Sequence, residues 1–148
     1  MRLLVCGSRD WTATEDIAYH LALIFGKETD RLVIHGNCGD LLAKPPRGAD
    51  KIAGWLAAGV GASVDVCAVD QRLDGPWPAA GPRRNTRMLE RGKPDQGLAF
   101  GPLWWRDWRW RPTGTGDMVS KMLRAKVPVR WVAGPGAPAV DLVEMPRP

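Results

Sequence analysis

Residues 1–11 read Met-Arg-Leu-Leu-Val-Cys-Gly-Ser-Arg-Asp-Trp. The four apolar residues Leu3, Leu4, Val5 and Cys6 run unbroken into Gly7-Ser8-Arg9-Asp10. An apolar run without alternation is the pattern of a strand buried on both faces of a parallel sheet, and the glycine marks where the chain leaves it. Open α/β sheets bind ligands outside the carboxyl ends of their strands, at the point where strand order reverses. Residues 2–7 are therefore read as the central strand and Gly7 to Asp10 as one wall of a site. An ordinary strand followed by a polar turn is the alternative on these residues alone.

The same pattern recurs along the chain. Thr12-Ala13-Thr14-Glu15 has capping-box spacing, and Ile17, Leu21, Ile24 and Phe25 follow at helical intervals. Residues 31–36 (RLVIHG) repeat the strand-then-glycine motif, with His35 read as a strand-end residue. Residues 37–47 carry Pro45-Pro46 and form a loop. Helical spacing resumes from Ala49 to Val60, and a valine-rich third strand is expected over residues 63–69. Residues 71–82 contain three prolines and two glycines and are expected to be irregular. A short helix near the surface follows over residues 83–91, with Met88 and Leu89 inward and Gly92 as its stop. Residues 97–100 give a fourth strand, a helix starts at Gly114, and residues 127–132 give a fifth strand. Strands alternating with helices imply right-handed crossovers and a parallel sheet covered on both faces. Its expected order is 3-2-1-4-5, within one domain spanning residues 1–132. The Pro/Gly-rich tail, residues 133–148, is expected to be extended and to wrap the surface or a partner.

The chain has 148 residues, enough for one domain with a sizeable core. No segment approaches the ~20 apolar residues of a membrane span, and the start does not resemble a signal peptide, so a cytoplasmic protein is expected. Cys6, Cys38 and Cys67 form no CxxC pair, and two histidines add little. Neither a disulfide framework nor a metal site is suggested, and no cofactor is called for. The net charge of +5 is uneven: residues 1–79 hold eight basic and ten acidic side chains, residues 80–131 twelve and four. That basic excess favours anionic partners, phosphates or nucleic acid, over a neutral ligand. A solvated basic face is the other reading.

Each expected strand end delivers polar or glycine residues to one edge: Gly7-Ser8-Arg9, Gly36-Asn37, Asp70, and the loop reaching Gly114-Thr115-Gly116-Asp117. The last opens a helix, whose unpaired N–H groups and positive dipole end favour an anion. Ser8 and Thr115 supply hydroxyls, and Thr115 is also a candidate N-cap. The Gly-Lys-Ser/Thr ending of a Walker A loop is absent.

The ordered set Leu4-Val5-Cys6-Gly7-Ser8-Arg9-Asp10, His35-Gly36, Arg47-Gly48-Ala49-Asp50, Gly81-Pro82-Arg83-Arg84-Asn85 with Met88-Leu89, Pro94-Asp95 with Ala99-Phe100, and Gly114-Thr115-Gly116-Asp117-Met118-Val119 resembles the YspA-like branch of the SLOG superfamily. That superfamily includes the Lonely Guy phosphoribohydrolases and the DNA-processing protein DprA. The resemblance implies a Rossmann-like three-layer sandwich that binds a nucleotide or a nucleotide-derived ligand such as ADP-ribose. It also implies a binding site drawn from Gly7, Ser8, Arg9, Gly36, Asn37, Gly48, Asn85, Gly114, Thr115 and Gly116. A homodimer or higher homo-oligomer is expected. In the Lonely Guy enzymes an Arg-Lys pair and a Gly-Gly-x-Gly-Thr-x-x-Glu loop cleave a base from ribose phosphate. Here Arg84 falls on the arginine, Asn85 replaces the lysine, and Met118 stands where the glutamate belongs.

N-glycosidic cleavage needs a carboxylate near the developing ribose cation. Asp117, about 100° around the helix from the glutamate position, and Asp50 are the candidates, with Arg84 as the third catalytic residue. Sensing or sequestering without turnover stands beside hydrolysis. Arg9 and Arg84 are read as phosphate or ribose contacts, or as salt-bridge partners of Asp10 or Asp50. Residues 101–112 interleave Trp104, Trp105, Trp108 and Trp110 with Arg106, Arg109 and Arg111. They offer a DprA-like surface for single-stranded nucleic acid, or indoles packed on the domain or a sister subunit.

Overall fold

The computed structural model describes residues 1–107 and 111–148; Trp108, Arg109 and Trp110 of the Trp/Arg run lie outside them. Six strands form one sheet: β1 (Arg2–Gly7), β2 (Leu32–His35), β3 (Ser63–Val66), β4 (Gln96–Phe100), β5 (Val129–Val132) and β6 (Ala139–Leu142), in the order β3-β2-β1-β4-β5-β6. The first five are parallel, with β1 between β2 and β4, so Val5 faces His35 and Gly7 faces Phe100 across the ladders. The expected Rossmann-like arrangement is the one observed, and the order reverses between β1 and β4. Among the described residues no helix is long and apolar enough to cross a membrane.

The central strand sends successive side chains to opposite faces. Leu3 and Val5 pack with Ile17, Leu21, Ile52 and Ala53, from α1 (Thr14–Phe25) and α2 (Ala49–Gly59). Leu4 and Cys6 pack with Met88 of α4 (Ala80–Gly92) and with Met118, Val119 and Met122 of α5 (Gly114–Arg124). Burial on both faces is what the unbroken apolar run encodes.

Four local expectations change. First, α1 starts at Thr14 with Ala13 in the N-cap and no side-chain cap, so the capping box does not form. Glu15 and Asp16 in its first turn complement the helix dipole instead. Second, residues 71–82 are not wholly irregular. Asp70 caps a single turn, α3 (Gln71–Asp74), by accepting from Arg72 N at 2.9 Å, and α4 already begins at Ala80. Pro82 sits in the first turn of α4, where no intrahelical N–H bond is lost. Third, Gly92 is the last residue of α4, and the left-handed residue after it is Lys93 (φ 45°). Fourth, part of the tail pairs as β6 antiparallel to β5, with Asp141 opposite Arg130 and joined to it at 2.9 Å. Leu142 enters the core beside Val129. The pairing satisfies the outer edge of β5, which would otherwise stay open; four residues flanked by Pro and Gly are too short a signal to announce it.

Gly7 is where the central strand touches its neighbours most closely. A Cβ there would stand 2.5 Å from Ala49 Cβ and 2.7 Å from the Phe100 carbonyl oxygen. Gly7→Ala is expected to destabilise the fold by about 1–3 kcal/mol, the usual cost of overpacking a core. Urea unfolding checks this, and an unchanged midpoint would show that the backbone yields there.

Candidate functional site

The carboxyl ends of β1, β2 and β3 are held together by two buried side chains. Asp50, in the first turn of α2, accepts hydrogen bonds at Oδ2 from Gly36 N at 2.9 Å and Cys38 N at 3.4 Å. Burial pushes its carboxyl up to about 6, against the pull of the nearby Arg84 charge and of the Cys38, Gly36 and Gly7 amides. Arg84 reaches from α4 and donates to the carbonyl oxygens of Gly36 and Cys67, the latter at 3.2 Å. Its Nε donates to Asn85 Oδ1 at 3.0 Å, and its Nη2 lies 3.9 Å from Cys38 Sγ. A Cβ at Gly36 would collide with the guanidinium, so only glycine lets Arg84 in.

Arg84 is thus not a surface residue opening a short helix, as expected from the sequence. It is 8% exposed, because α4 starts three residues earlier and turns this side chain toward the sheet. Nor do the salt-bridge alternatives form. Arg84 makes no ion pair with Asp50, and Arg9 is exposed and pairs with neither Asp10 nor Asp50.

A second cluster lies at the start of α5. Asn85 Nδ2 donates to Asp117 Oδ2 at 2.9 Å and to Gly114 O at 3.3 Å. Lys121 Nζ donates to the same Asp117 oxygen at 2.7 Å and to Pro82 O at 2.7 Å. Arg84 and Asn85, adjacent in sequence and bonded to each other, couple this cluster to the β1–β3 ends. The N-cap of α5 is Thr113, whose Oγ1 accepts from Gly116 N at 3.0 Å, and not Thr115, which is buried as the second residue of the helix. The amides of Gly114 and Thr115 have no partner among the described residues. Met118 is 1% exposed and packed in the core.

Of the other expected contacts, Gly7 and Ser8 lie at the switch point. Ser8 N donates to Phe100 O at 2.9 Å, and its Oγ accepts from Asp10 N at 3.1 Å, closing the turn after β1. Gly48 (φ 101°) is buried against Gly39 and donates to Trp11 O at 2.8 Å, so it ties two loops together. Asn37 is exposed in a left-handed conformation (φ 65°), its amide donating to His35 Nδ1 at 3.0 Å. His35 is buried, and burial, helped by the Arg84 charge, lowers its pKa to about 4, leaving a neutral strand-end ring. Asp70 caps α3, which Arg87 fastens to α4 through Asp74, at 2.8 Å. The hydrogen bond from Arg87 holds the Asp74 carboxyl down to about 2.

Lys121 and Thr113 are site residues that the sequence reading missed. The Asp117–Lys121 spacing of four on one helix was the available signal. Beside the cluster, the described part of the Trp/Arg run walls a concavity of about 650 Å³ lined by Pro102, Trp104, Trp105, Arg106, Arg111 and Thr113, among others. Among the described residues no group of His, Cys, Asp and Glu could hold a metal ion. No protein-family model matches the chain, and no curated protein matches it.

Proposed function

We propose that the chain binds a nucleotide-derived ligand, such as ADP-ribose or a nucleoside monophosphate, at the β1/β4 switch point and releases it unchanged, as a sensor or sequestering protein. The observation that carries the reading is that the Gly7-Ser8 turn and the Gly114 and Thr115 amides, which have no partner among the described residues, both follow the carboxyl ends of the neighbouring strands β1 and β4. Helix amides and dipole favour a phosphate there, in a half of the chain with a basic excess.

The resemblance to phosphoribohydrolases supports the ligand class, while the arrangement of carboxylates argues against cleavage. Asp117 Oδ2 already receives Lys121 and Asn85, so the oxygen that would face a ribose cation or a water is occupied. Asp50 is 4% exposed and faces backbone amides. The Met118 side chain lies in the apolar core, so the position that needs an acid offers none.

Calorimetry with ADP-ribose and adenosine monophosphate, followed by chromatography of the incubated mixtures, tests both parts. Binding with no free base is the expected outcome. Release of base by the wild type, abolished in Asp117→Asn, would make the protein an N-glycosidase. Absence of binding by any nucleotide-derived ligand would remove the reading.

A further inference from the structure

We infer that the concavity walled by Trp104, Trp105 and Arg106 is the subsite for the nucleobase of that ligand, an inference that rests on the nucleotide-binding reading above. Its volume, about 650 Å³, lies within the ~300–1,000 Å³ of small-molecule pockets. It opens at the carboxyl ends of β4 and β5, between Pro102 and Ala133, and its lining includes Thr113, the cap of α5. A molecule with its phosphate at Gly114 and Thr115 therefore reaches this concavity without leaving the sheet edge.

The walls suit a flat, weakly polar ring. Trp104 is fixed: its Nε1 donates to Pro146 O at 2.8 Å, and its backbone bridges to Pro112. Trp105 N donates to Arg111 O at 3.0 Å, holding the backbone while the indole stays 53% exposed. An exposed indole on a held backbone offers a face for stacking: stacking a base on an aromatic side chain contributes ~1–3 kcal/mol. Arg106 and Arg111 stand against one carboxylate, Asp107, in the same lining, which leaves it basic on balance and suits a ligand that carries a phosphate. At about 650 Å³ the concavity has room for a base together with its sugar, so a mononucleotide-like ligand fits it whole; single-stranded nucleic acid, to which such interleaved residues also point, is the other outcome of the test.

The test compares wild type, Trp105→Ala and Trp105→Phe by calorimetry with adenosine monophosphate, ribose 5-phosphate and a thymidine oligonucleotide. Trp105→Ala is expected to weaken adenosine monophosphate roughly five- to hundredfold and to leave ribose 5-phosphate unchanged, with Trp105→Phe recovering part of the loss. If wild type binds the nucleotide and Trp105→Ala binds it equally, the base lies elsewhere and only this inference falls. An equal loss for both small ligands would make Trp105 a support of the loop and overturn it too. Tighter, Trp105-dependent binding of the oligonucleotide than of the mononucleotide would assign the surface to nucleic acid instead. Binding of neither small ligand by the wild type removes both readings together.

Discussion

Arg84→Ala is expected to lower the unfolding free energy by roughly 2 to 6 kcal/mol, the sum for two buried carbonyls that lose their donor. Truncation leaves the buried carbonyls of Gly36 and Cys67 without their donor, each unsatisfied group costing about 1–3 kcal/mol. It also frees Asn85 Oδ1, which helps to aim the amide that holds Asp117. Arg84→Lys is expected to recover little, since one ammonium cannot reproduce bonds that leave Nε and Nη1 in fixed directions. Urea unfolding measures both variants. A loss under about 1 kcal/mol would mean that the guanidinium is dispensable to the fold and free to serve a phosphate. The distinction matters for function, because a phosphate contact and a brace for the loops after β2 and β3 predict different defects. The first weakens affinity in a stable protein; the second lowers stability and disorders the site with it.

The sheet was legible because its determinants are local. Leu3 to Cys6 and Leu32 to His35 are unbroken apolar runs ended by glycine, and such runs are intelligible only between two layers of helices. The expected order 3-2-1-4-5 holds for the five parallel strands, and β6 extends it. The positions of the candidate residues were legible too, because glycines and polar residues at strand ends share an edge. What each side chain does there was not. The depth of Arg84 depends on α4 starting at Ala80, a start hidden by Gly81 and Pro82. That Asp50 and Arg84 bond to backbone groups of loops distant in sequence is something no spacing rule reveals. β6 was missed for the same reason: its partner, β5, supplies the order that Ala139 to Leu142 lack by themselves.

Asp50 gives the second large effect, and it separates a structural carboxyl from a catalytic one. Asp50→Ala removes the acceptor of the Gly36 and Cys38 amides and is expected to cost about 2–4 kcal/mol at pH 4, where the wild-type carboxyl is protonated and at its most stabilising. The folded protein holds that proton to about pH 6, whereas the ordinary value is 3.8. Below about pH 4 both states are protonated and the contribution is complete. As pH rises from about 4 to 6 the unfolded chain releases the proton first, the folded state binds more, and stability falls. Two units correspond to about 3 kcal/mol. Asp50→Asn keeps an oxygen for the amides and cannot titrate, so wild-type stability relative to this variant is expected to decline by on the order of 2–3 kcal/mol between pH 4 and pH 7. Parallel curves for the two proteins would place the Asp50 pKa in the ordinary range and give the group no linkage to folding. A catalytic Asp50 would show itself differently, as base release lost in Asp50→Asn at a pH where the two proteins are equally stable. The geometry favours the first outcome: the carboxyl is turned to the amides that shape the loop after β2, and a substrate at the sheet edge would meet those loops before it met the acid.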